Sequence, residues 1–165
     1  MKRVFLTGMS GTGKSAVISE LAARGYKAVD TDYDGWSALV EVPAGRGQFG
    51  PRGKHDWLWQ EDRIARLLAT EDADVLFISG GASNQVKFYN QFDHIVLLTA
   101  PASVITERLV TRTNNPYGKH PDELARVLAL KQTVEPMLRR VADLEIDTSL
   151  PVDRVVEKIL GAVLH

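Results

Sequence analysis

No cysteine occurs in the chain, which removes disulfides, thiolate metal sites and a cysteine nucleophile from consideration. An excess of either charge is also missing: 20 Lys and Arg stand against 21 Asp and Glu, for a net charge of −1. With no long basic run, nucleic-acid binding is not expected, because it needs concentrated cations to displace phosphate counterions. Long apolar stretches are absent too, and runs such as IVLLTAPA from Ile95 fall far short of a membrane span. The opening MKRVFLTGMSG has too short an apolar core for a signal peptide. His55, His94, His120 and His165 lack metal-ligand spacing and read as surface or capping groups. What remains is 165 residues, 44% hydrophobic, enough for a single domain with a sizeable core. The expectation is a cytoplasmic enzyme, monomeric or weakly dimeric, that contacts neither nucleic acid nor membrane.

Short apolar runs alternate with helical patterns. RVFLT (3–7), YKAVD (26–30), DVLFIS (74–79), DHIVLLT (93–99) and LEIDT (144–148) read as strands. Their apolar residues are mostly consecutive, as in strands covered on both faces. Helical segments are expected at Lys14–Arg24, stopped by Gly25, and at Trp57–Ala69, Ala102–Thr111, Asp122–Val141 and Pro151–Leu164. Pro136 should kink or break the fourth of these. Strand alternating with helix implies right-handed crossovers and an α/β fold with a parallel sheet of about five strands. Pattern alone does not order those strands.

Between the first strand and first helix stands GMSGTGKS, Gly8–Ser15. Glycines at this spacing let the backbone curl so that its N–H groups close around an anion. The helix start adds unpaired N–H donors and a positive dipole end. Lys14 can reach terminal phosphates from solvent, and the Ser15 hydroxyl can ligate magnesium. The pattern G-x-x-x-x-G-K-S is met in full, so the segment reads as a nucleoside-triphosphate site. The backbone of Gly8, Gly11, Thr12, Gly13, Lys14, Ser15 and Ala16 is expected to line the phosphates of ATP.

The second strand ends in VDTDYD, which places Asp30, Asp32 and Asp34 at the carboxyl edge of the sheet, where ligands bind in α/β folds. One carboxylate can hold Mg2+ through water, and another can take a proton from an acceptor hydroxyl. The third strand ends not in the acidic residue of many P-loop ATPases but in Ser79-Gly80-Gly81-Ala82. Magnesium support therefore falls to Asp30 or Asp32, and the paired glycines leave room for a ligand.

These segments resemble the shikimate kinase branch of the small P-loop kinases, related more distantly to nucleoside-monophosphate kinases. GMSGTGKS matches the family's phosphate loop, VDTD its Asp-x-Asp strand end, and SGGA its Gly-rich turn. PASVITERLVTR is similar to the helix leading into its lid, and VADLEIDTS with LPVDRVVEKIL to its last strand and adenine loop. The resemblance implies a P-loop NTPase three-layer sandwich with an acceptor-binding insertion (33–60) and a lid (112–121). It implies Arg108 and Pro151 beside adenine, Arg112 on the transferred phosphoryl group, Asp30 on magnesium and Asp32 facing the acceptor. Two arginines that the family places on the shikimate carboxylate fall here on Leu58 and Val134.

The expected function is therefore transfer of the γ-phosphoryl group of ATP to a small-molecule hydroxyl or phosphate other than shikimate. Lys14, Asp32 and Arg112 would carry the chemistry. Asp32, Asp34, Arg46, Arg52, Trp57, Gly80 and Gly81 would surround the acceptor. Aromatic faces with cations would also suit a nucleoside or nucleotide acceptor. A helix beginning at Trp57 would splay Trp57 and Trp59 by about 200°, so that only one could face a cleft. A nucleotide-binding regulator with little transferase activity is the alternative from another class; it would not need the Asp32–Arg112 pair.

Overall fold

A computed structural model of the chain describes residues 1–47, 54–113 and 115–164. Five parallel strands form the central sheet: β1 (Lys2–Thr7), β2 (Lys27–Asp30), β5 (Val75–Ser79), β6 (His94–Thr99) and β7 (Leu144–Asp147). They lie in the order β2-β5-β1-β6-β7, so β1 is central and β2 is an edge. In register, Leu6 sits beside Ser79 and Asp30 beside Ser79, which brings three strand ends together at one point of the carboxyl edge.

Alternation along each strand sends side chains to two cores. Val4, Leu6, Phe77, Val96, Leu98 and Ile146 pack against α1 (Lys14–Ala23) and α6 (Val152–Val163). Phe5, Leu76, Ile78 and Ile95 face the other way, against Ile64, Leu67 and Leu68 of α2 (Glu61–Ala69) and Phe88 of a 3₁₀ turn at Gln85–Gln91. Helix–sheet–helix layering follows from strands that are apolar on both faces. Beyond the carboxyl edge, Ile105 and Leu109 of α3 (Ala102–Thr111) and Val127 of α4 (Pro121–Thr133) make a smaller cluster.

The long C-terminal helical pattern does break near Pro136. Helix α4 ends at Thr133 and α5 (Glu135–Val141) begins after Val134. Pro136 has no N–H to donate to the carbonyl four residues back, and its ring would collide with it. Among the described residues no helix is long and apolar enough to cross a membrane.

The expected helix from Trp57 is not formed as such. His55–Trp59 is a strand, β4, paired antiparallel with β3 (Ser37–Glu41), and helix begins only at Glu61. Two interactions override helical propensity here. The β3 ladder satisfies the backbone, and the Asn84 side chain bonds both the N–H and the C=O of Trp59 (2.8 and 3.1 Å). Trp57 and Trp59 are consequently two apart on a strand and share a face, the reverse of the helical expectation.

Candidate active site

The loop after β1 curls through Gly8, Gly11 and Gly13, with φ of 155°, 85° and 92°. Gly13 is the N-cap of α1, and a left-handed residue there turns the chain straight into the helix. The helix has no side-chain cap and no acid in its first turn. Its first N–H groups, those of Lys14, Ser15 and Ala16 among them, have no intrahelical partner and remain suited to an anion.

Lys14 departs from the expectation of a solvent-facing side chain. It is 9% exposed, and its ammonium donates to the carbonyls of Gly8 (2.7 Å) and Met9 (3.1 Å) inside the loop. A desolvated ammonium needs acceptors, and the curl turns these carbonyls inward. Burial pushes its pKa down, Asp32 and Asp30 pull it up, and Arg112 opposes them. Lys14, both carboxylates and Arg112 thus share one electrostatic environment.

Ser15 Oγ donates to Asp30 Oδ2 (2.5 Å), and Asp30 Oδ1 accepts from the Asp32 amide (3.1 Å). Burial raises the Asp30 pKa above the ordinary carboxylate value, while the Ser15 and Asp32 hydrogen bonds pull the other way. Beside Asp30 in register stands Ser79, fully buried, whose hydroxyl has no hydrogen-bond partner. Register neighbours on parallel strands share a face. Ser15 and Asp30 therefore bond to one another on the same face of the sheet as the buried Ser79 hydroxyl.

Asp32 accepts from the Trp57 indole Nε1 (3.0 Å). Arg112 caps α3, donating from Nε to Asn115 O (3.0 Å) and from Nη2 to Tyr117 O (2.6 Å), which ties it into the loop that leads to α4. Burial lowers the Arg112 pKa, with Tyr33 and Asp32 acting against that.

Arg108 forms a different tie. Its guanidinium donates to Thr148 Oγ1 (2.9 Å), Thr148 O (2.5 Å) and Gly11 O (3.3 Å), and Thr148 Oγ1 donates onward to Thr12 O (2.6 Å). The end of β7 is thereby bolted to the phosphate loop. Pro151, three residues on, is exposed at the N-cap of α6. Sequence reading missed Thr148, because a threonine at a strand end carries no signal until its partner is known.

The remaining candidates divide: Asp34 joins Ser15 and Asp30 at one cleft, and others stand apart. Asp34 adopts a left-handed conformation (φ 59°), its carbonyl accepts from Arg63 (2.9 Å), and it lines an open cleft of about 580 Å³ with Ser15, Asp30, Tyr33 and Trp36. Arg46 is exposed in the turn beyond β3, and no contact joins it to Asp32 among the described residues. Arg52 lies outside the described residues. Gly80 is packed against Thr31 and Trp59, whereas a Cβ on Gly81 would meet only Gly8 O at 3.8 Å. The two glycines therefore have different reasons to be small. Lys119 donates to Val110 O (2.7 Å), and His120 caps α4 by accepting from the Asp122 amide (3.1 Å). Leu58 and Val134 bring no cation, and Val134 packs beside Met9, Leu97 and Leu138.

Comparison with known proteins identifies the family and the fold. The model of the AAA domain family matches residues 4–129. A shikimate kinase of Pelotomaculum thermopropionicum is 30% identical over 168 residues, covering 97% of this chain and 94% of its own. The chain belongs to the shikimate-kinase-like P-loop kinases. It is an ATP-dependent small-molecule kinase. Two solved structures carry the same fold. Shikimate kinase from Acinetobacter baumannii, in complex with shikimate, superposes with a TM-score of 0.68 at 22% identity, covering 99% of this chain and 93% of that one. A gluconokinase from Sinorhizobium meliloti superposes with a TM-score of 0.55 at 20% identity, covering 99% and 91%. The kinase fold thus accommodates more than one kind of acceptor, and this kinase's own residues must specify which it takes.

Proposed function

We propose that this kinase transfers the γ-phosphoryl group of ATP to a hydroxyl of a small molecule other than shikimate. The observation that carries the reading is the continuous line Ser15–Asp30–Asp32, next to Lys14 and Arg112, which feel the Asp32 charge. One end of this line suits the donor and the other the acceptor. Ser15 and Asp30 would hold Mg2+, Asp30 through water, with Ser79 Oγ an additional acceptor for that water. The ion would neutralise charge on the β- and γ-phosphates. Asp32 would take the acceptor proton, and Arg112 would meet charge on the transferred group as the lid closes and excludes water. Arg108 would hold the phosphate loop, with Pro151 beside the adenine. Gly81 is open enough for a phosphate or acceptor to lie against it.

Shikimate is disfavoured on the acceptor side. A buried carboxylate without a cation is heavily penalised, and the two positions that would supply one are Leu58 and Val134. For a nucleoside acceptor, stacking would fall to Trp36, which lines the open cleft beside Arg63, or to the half-buried Trp57. Trp59 is 3% exposed, and its indole is committed to Thr31, so it offers no stacking face. A regulator without transferase activity would leave the proximity of Asp32 and Arg112 without a purpose.

The test is ADP formation across a panel of polyols, sugars, sugar acids, nucleosides and shikimate, with Lys14→Met as the control. One hydroxyl-bearing compound should give saturable turnover that Lys14→Met abolishes, and shikimate should not rise above the acceptor-free rate. Saturable shikimate phosphorylation would refute the acceptor assignment.

A further inference from the structure

Trp57 and Trp59 present their indole N–H groups side by side, because alternate residues of β4 share a face. They meet two consecutive residues of the turn after β2: Trp59 Nε1 donates to Thr31 Oγ1 (2.8 Å), and Trp57 Nε1 donates to Asp32 Oδ1 (3.0 Å). Only the first of these pairs is buried, and packing against Phe5 and Phe88 explains it. The second is half-buried and lies at the acceptor end of the site. Trp57 also packs, partly buried, against the core on the α2 side, a contact that the ring makes and the N–H does not.

The Trp57 ring is mounted on a braced strand. Its residue pairs with Leu39 across the hairpin, and its carbonyl accepts from the Ser83 amide (2.9 Å). Its neighbour Trp59 is clamped by Asn84 on both backbone groups. Asp32, by contrast, stands on a turn, and rotation about the terminal bond of an Asp side chain is soft. Lys14 and Arg112 both attract it. A carboxylate so placed could turn onto either cation and present neither oxygen to the acceptor. Among the described residues Asp32 Oδ2 accepts no hydrogen bond, while Oδ1 is occupied by Trp57.

We propose that Trp57 is a positioning residue for phosphoryl transfer, its indole N–H pinning Asp32 Oδ1 so that Oδ2 alone faces the acceptor hydroxyl. In the step this serves, the acceptor oxygen forms a bond to the γ-phosphorus and the bond from that phosphorus to the β–γ bridging oxygen breaks. ADP leaves with that electron pair, and the acceptor proton passes to Asp32 Oδ2. Holding one oxygen removes a rotation that the reacting geometry would otherwise have to freeze. The inference rests on the reading of Asp32 as the acceptor-side carboxylate.

The test uses Trp57→Phe and, at the same position, β-(3-benzothienyl)alanine, which keeps the bicyclic shape but replaces N–H with sulfur. Phosphate release from MgATP without added acceptor, where water stands in for the hydroxyl, reports the step. Affinity for a fluorescent ATP analogue reports the donor side. Both variants should slow phosphate release about tenfold or more, the size expected for a lost hydrogen bond to a charged group, with nucleotide affinity within about twofold. In indole ¹⁵N–¹H spectra, Asp32→Ala should move the Trp57 cross-peak upfield and leave that of Trp59 in place. The spectrum decides independently of turnover. A benzothienyl variant with wild-type phosphate release, or a Trp57 cross-peak unmoved by Asp32→Ala, would overturn the proposal. If Asp32→Ala lowers release and the Trp57 variants do not, positioning alone is wrong. If Asp32→Ala releases phosphate at the wild-type rate, the acceptor-side reading of Asp32 falls and positioning with it.

Discussion

Gly80→Ala should damage this kinase through packing. A Cβ at Gly80 would approach Thr31 Oγ1 well inside 3.0 Å and Trp59 Nε1 at 3.1 Å. Thr31 cannot rotate away without loss, because its hydroxyl donates to Ser79 O (2.6 Å) and accepts from Trp59 Nε1 (2.8 Å), all in a fully buried position. Overpacking of this kind costs about 1–3 kcal/mol. For a chain of this size that lowers Tm by about 2–4 °C per kcal/mol, or roughly 2–12 °C in total. Thr31→Ala removes the obstructing oxygen but strands the Trp59 N–H, at about 1–3 kcal/mol. The double variant should therefore be more stable than the sum of the singles predicts, by about 0.5–3 kcal/mol of coupling. Gly81→Ala is the control, since its Cβ would make only an ordinary contact with Gly8 O at 3.8 Å; it should stay within about 0.5 kcal/mol of wild type. Denaturant melts of all four variants measure these values. Wild-type stability for Gly80→Ala, or additive losses in the cycle, would refute the steric argument.

Arg108→Ala should cost about 1–3 kcal/mol by unpairing Thr148 and Gly11 carbonyls, and should weaken ATP affinity at least as much as it slows turnover; calorimetric titration with ATP separates the two. Magnesium dependence should have an acidic limit set by Asp30. Its pKa lies above the ordinary 3.8, chiefly through burial, and a protonated carboxyl cannot support the cation. The magnesium contribution to ADP affinity should be full above that raised value and fade as pH falls through it, at a higher pH than an ordinary carboxylate would allow. Asp30→Asn should flatten the profile. An unchanged profile in that variant would remove Asp30 from the magnesium site.

Much of the donor half was legible in the sequence because its chemistry is local. Gly8 to Ser15 lie within eight consecutive residues, and the glycine spacing, the lysine and the hydroxyl carry their own mechanism. The five sheet strands were equally plain, since burial on both faces leaves consecutive apolar residues. The break near Pro136 follows from one missing N–H. The β3–β4 hairpin was hidden because HDWLWQEDRIARLL is compatible with either element. Only the β3 ladder and Asn84, 25 positions along the chain from Trp59, decide that Trp57 and Trp59 lie on a strand and face Asp32 and Thr31. Strand order is likewise a property of which edges meet, so the register that sets Ser79 beside Asp30 could not be read from either strand. The inward turn of Lys14 depends on carbonyls that point inward only once the loop has closed. Sequence by itself determined the phosphate-loop pattern, because contiguous backbone suffices to curl around an anion; tertiary structure decided which side chains surround Asp32, because that surface is assembled from segments that come together only on folding.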